Sequence, residues 1–71
     1  MKKFTVTRLS ELDPGDRFYF PSKRDRLCTF IKKNINKISG YLTTYDYKDD
    51  KGSVYLNDKN KKVVFLRNIN D

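Results

Sequence analysis

Two sets of side chains in this sequence have types suited to binding chemistry. One is a pair of tyrosines, Tyr19 and Tyr55, which the alternation in RFYF and SVYLN places on faces opposite the apolar residues of their strands. The other is basic: Arg17, Lys23, Arg24, Arg26, Lys32 and Lys33. An exposed ring beside Lys or Arg offers a stacking platform for an unpaired base, with phosphate contacts alongside. These residues together predict a nucleic-acid interface.

Other chemistries lack their residues. The sequence has no His, which removes the usual proton carrier near neutral pH and the commonest metal ligand. Its single cysteine, Cys28, closes no internal disulfide and cannot by itself assemble a thiolate metal site. Set among Leu27, Thr29 and Phe30, it suits a small buried residue better than a nucleophile, since no His is present to activate it. Asp46, Asp49 and Asp50 with Gly52 lack the ligand spacing and terminal Glu of a calcium loop and read as a turn. No catalytic residue, metal site or cofactor is expected, and the chain reads as non-enzymatic.

Charge points the same way. Sixteen Lys plus Arg against nine Asp plus Glu give a net charge of +7, which favours polyanionic partners. A Lys-rich composition also serves solubility alone, so charge by itself does not select the partner. No apolar run approaches a membrane span, and Thr, Arg, Ser and Glu interrupt the stretch after Met1-Lys2-Lys3, so neither a signal peptide nor a membrane partner is expected. With a lone cysteine, the reading is a cytoplasmic protein in a reducing compartment.

The elements that must position these residues are short and β-favouring. At 71 residues the chain has room for one small domain, spanning 1–71. Phe4 and Val6 alternate with Thr5 and Thr7, predicting a strand over Lys3 to Arg8 with the apolar pair inward. Leu9 and Leu12 have the spacing of one helical turn, and Pro14-Gly15 fits a type II turn that needs positive φ at Gly15. RFYF is the next strand, and PSKRDR, from Pro21 to Arg26, reads as an exposed basic loop. A strand is predicted from Leu27 to Lys33, followed by a turn within NINKISG. The alternative is a helix near residues 26–39, ended by Gly40, because Leu27, Phe30, Ile31, Ile35 and Ile38 also fall at helical spacing. YLTTYDY is a strand with Tyr41, Thr43, Tyr45 and Tyr47 on one face; SVYLN completes a hairpin through KDDKG. KVVFLRN reads as a strand buried on both faces, and the residues from Ile69 onward as a frayed end.

Five to six short strands in so short a chain predict an all-β fold, closed into a small barrel that leaves no exposed edges. The run VTRLSELDPGDRFYF resembles the opening of small SH3-like β-barrels found in uncharacterised bacterial and phage proteins, over about a fifth of the chain. That resemblance implies a fold and carries no catalytic residues. The expected function is nucleic-acid binding, mainly through phosphates. The alternative is a protein-interaction or accessory module of a phage or mobile element, whose aromatic face docks on a protein partner or on a second copy of the chain as a homo-oligomer.

Overall fold

The computed structural model describes residues 1–36 and 42–71, and the fold is all-β. Six antiparallel strands form one sheet: β1 (Thr5–Arg8), β2 (Asp16–Phe20), β3 (Lys23–Asn36), β4 (Leu42–Asp49), β5 (Val54–Asp58) and β6 (Lys62–Asn68), in the spatial order β1-β6-β2-β3-β4-β5. The predicted strand at Leu27 is therefore present and longer at both ends, and the helix alternative is excluded over residues 26–36. Where that helix or the NINKISG turn would end, and which way Tyr41 faces, lies outside the described residues.

The sheet is not closed, which corrects the expectation of a complete barrel: β1 and β5 are both edges. It is nevertheless curled. A flat sheet would hold β5 four strand spacings from β6, about 19 Å, yet the link Lys59–Lys61 reaches no more than about 14 Å. Curling gathers Leu9, Leu12, Phe18, Phe20, Cys28, Phe30, Tyr45, Tyr47, Val63 and Phe65 into one core. Phe18 and Phe20 meet Tyr47 edge-on, with centroids 5.5 and 5.4 Å apart, although β3 separates their strands.

Several local signals act as predicted. Leu9 and Leu12 are buried across a 3-10 turn at Leu9–Glu11. The Pro14-Gly15 turn has φ +90° at Gly15, and the Asp16 N–H donates to Asp13 O at 3.0 Å. Val63, Val64 and Phe65 are all buried, Val63 and Phe65 in the core and Val64 on the opposite face between its cross-strand neighbours Val6 and Tyr19. Gly15→Val is expected to lower stability by roughly 1 to 2 kcal/mol or more, because a β-branched residue is strained at positive φ. Its Cβ would also sit 3.0 Å from Ile69 Cγ1. A urea midpoint equal to that of the unsubstituted protein would contradict this account of the turn.

Other expectations are corrected. β1 starts at Thr5, because Phe4 takes φ +67°. Its faces are reversed: Phe4 and Val6 are exposed, while Thr5 and Thr7 lie in register with the core residues Phe65 and Val63. The basic segment is not a loop. Phe20 pairs directly with Lys23 around Pro21-Ser22, and β3 runs through Lys23, Arg24 and Arg26. The end is held by backbone bonds, with Ile69 N–H donating to Gly15 O at 3.0 Å.

Candidate nucleic-acid interface

Register separates the predicted binding residues into two surfaces. On β2, Arg17 and Tyr19 alternate with the core residues Phe18 and Phe20 and so point away from the core. Tyr19 is in register with Val64 of β6, and Val64 with Val6 of β1, giving an apolar row across three strands on the open face. Val64 is 8% exposed between them, whereas Val6 at the edge is 62% exposed.

Cations stand in register on both sides of this row. Arg8 of β1 lies opposite Lys62 of β6, and Arg17 of β2 lies opposite Arg67 of β6. Like charges directly opposite each other on neighbouring strands destabilise a sheet, and this one holds two such pairs around a half-buried tyrosine. Two of the four are partnered: the Arg17 guanidinium donates to both carboxylate oxygens of Asp50, at 2.6 and 2.7 Å, and to Thr29 Oγ1 at 2.9 Å, while Arg67 donates through Nη2 to Asp71 O at 2.9 Å and through Nε to Asn68 O at 3.4 Å. The bond to Asp50 raises the Arg17 pKa against the opposing effect of burial, and the same bond holds the Asp50 carboxyl below its ordinary range. Arg8, Lys62 and Arg67 have no carboxylate within ion-pair distance among the described residues. Lys48 extends the row beyond Arg17 and Thr29.

Lys23, Arg26 and Tyr55 belong elsewhere. They line an open cleft of about 530 Å³ with Tyr47, Leu56, Asp58 and Lys61, among others. Between Phe18 and Phe20 of β2 the register of β3 jumps from Cys28 to Lys23, an irregularity that carries Arg26 over the Phe20 ring. Tyr55 is not on the outer face as expected: it stacks on Tyr47 at 5.1 Å, and its strand neighbours Val54 and Leu56 are the exposed residues. Alternation correctly separates these residues, but on an edge strand it does not say which set faces inward.

Arg24, Lys32 and Lys33 do not line the cleft. Arg24 and Lys32 are exposed on β3, and Lys33 Nζ donates to Ser10 O at 3.0 Å, tying β3 to the 3-10 turn. The residues missed by sequence reading are Arg8, Lys62 and Arg67 on the open face and Lys61 and Asp58 in the cleft. Their one local signal is that Lys62 and Arg67 bracket the apolar run of β6.

Cys28, Asp46 and Asp49 serve the fold. Burial raises the Cys28 pKa, so the thiol stays protonated within the core. Asp46 accepts from Asn34 Nδ2 at 2.8 Å and from the Asn57 N–H at 2.9 Å, and Asp49 accepts from the N–H groups of Lys51 and Ser53 at 3.0 and 2.9 Å. Among the described residues no group of three or more His, Cys, Asp or Glu side chains is placed to hold a metal ion, and no helix is long and apolar enough to cross a membrane. No family model, curated protein or solved structure matches the chain.

Proposed function

We propose that this protein is a non-catalytic nucleic-acid-binding domain that takes single strands on the open face of β1, β6 and β2. The observation that carries the reading is the pair of like-charge cross-strand contacts, Arg8 with Lys62 and Arg17 with Arg67, on either side of Tyr19. The Arg8–Lys62 pair, with no carboxylate partner among the described residues, costs stability in the free protein, and a polyanion laid across this face turns that repulsion into attraction. Tyr19, beside Val64 and Val6, supplies a ring on which an unpaired base can stack between the two rows of phosphate contacts. The curled antiparallel sheet is in keeping with an SH3-like architecture, and the free, buried Cys28 fits a reducing compartment such as the cytoplasm.

Fluorescence anisotropy with a labelled single-stranded oligonucleotide tests this. With three to four phosphates neutralised, the log-log salt slope is expected near −2 to −3, a loss of roughly 20- to 50-fold between about 50 and 200 mM salt. Tyr19→Ala should leave that slope unchanged and remove roughly 1 to 3 kcal/mol. A salt-independent affinity, or no binding at low salt, contradicts the proposal.

A protein partner is the second reading. It is favoured by β5, an open edge strand with Val54 and Leu56 exposed, where an extended segment of another chain could add a strand. Binding of that kind would depend little on salt.

A further inference from the structure

We infer that the cleft lined by Lys23, Arg26, Tyr55, Leu56, Asp58 and Lys61 is a separate anion site whose ligand is a phosphate monoester dianion. The argument starts from Arg26. Its guanidinium carbon lies 5.6 Å from the Phe20 ring centre and 5.1 Å from that of Tyr55, and Nη1 donates to the Tyr55 hydroxyl at 3.3 Å. Both rings are themselves held in place. Phe20 packs edge-on against Phe18 and Tyr47, and Tyr55 stacks on Tyr47 and donates to Asp49 Oδ2 at 3.3 Å. The guanidinium is therefore fixed before any ligand arrives, which reduces the ordering cost of binding.

Arg26 also lacks a direct ion pair, its link to Asp49 running only through the Tyr55 hydroxyl. Its Nε is buried without a hydrogen-bond partner, and among the described residues no carboxylate lies within ion-pair distance of it. A half-buried cation left in that state carries a desolvation cost that a bound anion would offset.

The charge of the cleft selects the anion. Lys23 and Lys61 line the same space, the latter 5.8 Å from the Phe20 ring centre. Asp58 is the acid in the lining, and it is already engaged, with Lys61 Nζ at 3.1 Å and with the Tyr47 hydroxyl, which donates to it. Burial works to raise the Asp58 pKa, but bonds from Tyr47, the Lys59 N–H and Lys61 outweigh it, so the carboxyl stays ionised below its ordinary range. Burial and the same hydrogen bond raise the Tyr47 pKa, which keeps its hydroxyl a donor. Three cations less one carboxylate leave a charge of +2. A monoester dianion matches this, whereas a diester or a carboxylate leaves one cation unneutralised. Leu56 and Val54 give the ester's organic group an apolar wall.

Such a dianion is carried by a free monoester, as in a nucleoside monophosphate, and by the phosphorylated end of a nucleic-acid strand. The test is a nuclear magnetic resonance titration of the full chain at about pH 8, above the second phosphate pKa near 6, at constant ionic strength. Methyl phosphate should shift the amide signals of Lys23, Arg26, Leu56 and Lys61 saturably, about tenfold more tightly than dimethyl phosphate or acetate. Arg26→Lys and, as an exposed substitution that leaves the core intact, Lys23→Ala should each weaken methyl phosphate binding several-fold. Tighter binding of a nucleoside monophosphate than of methyl phosphate supports a free ester as the ligand. Tighter binding of a 5′-phosphorylated oligonucleotide than of its 5′-hydroxyl form supports a strand end. Equal affinity for dimethyl phosphate and methyl phosphate, or methyl phosphate binding unchanged in Lys23→Ala, overturns the inference without touching the open-face proposal, whose residues are different.

Discussion

Phe18→Ala is expected to leave the protein largely unfolded at room temperature. Phe18 is fully buried, meets Phe20 and Tyr47 edge-on at 5.5 Å in each case, and sits where the curled sheet brings β2 against β4. Removing a buried phenylalanine ring costs about 3 to 5 kcal/mol. A core in a domain of this size rarely supplies more than about 3 to 5 kcal/mol in total, so the substitution removes nearly all of the net stability. Proton nuclear magnetic resonance reads the outcome through the dispersion of methyl and amide signals. A dispersed spectrum with a urea midpoint close to that of the unsubstituted protein would show that the core does not depend on this ring.

Much of the fold was legible because its signals are local. Leu9 and Leu12, the Pro14-Gly15 turn, the alternation of Phe18 with Tyr19 and the two-sided burial of Val63, Val64 and Phe65 each depend on neighbours within a few residues. The reversals arose where the answer depends on distant partners. Phe4 and Val6 alternate with two threonines whichever way the strand faces; the pairing of β1 with β6 decides that the threonines turn inward. The same holds for Val54, Tyr55 and Leu56 at the opposite edge, where the stack of Tyr55 on Tyr47 settles the direction. Lys23 to Arg26 looked like a loop because it contains no apolar residue, and the strand persists there because its backbone pairs with β2 around a two-residue turn. The site was legible in part for the same reason. Arg17 and Tyr19 could be named from RFYF, but the cations that complete their surface lie on β1 and β6 and come together only through register.

That register yields the second large effect. Lys62→Glu with Arg67→Glu converts both like-charge cross-strand pairs into opposite-charge pairs, and the gain falls mainly at Arg8, roughly 0.2 to 1 kcal/mol in favour of the sheet, because Arg17 is already paired with Asp50. Both side chains are exposed, so no core contact is lost. In a domain of this length the gain corresponds to a rise in Tm of roughly 1 to 8 °C. Nucleic-acid affinity should move in the opposite sense, because two phosphate contacts are replaced by two repulsive carboxylates, a loss on the order of 100-fold or more at low salt. Binding lost through unfolding would come with a lowered Tm, which makes the opposed signs diagnostic.

The central claim, that the open face of β1, β6 and β2 is kept electrostatically strained in order to bind a polyanion, is tested most directly by measuring both quantities on one preparation of this double variant. A thermal melt and an anisotropy titration with a labelled single-stranded oligonucleotide at about 50 mM salt are sufficient. The account predicts a raised Tm together with lost binding. Unchanged affinity, or binding lost alongside a lowered Tm, would contradict it.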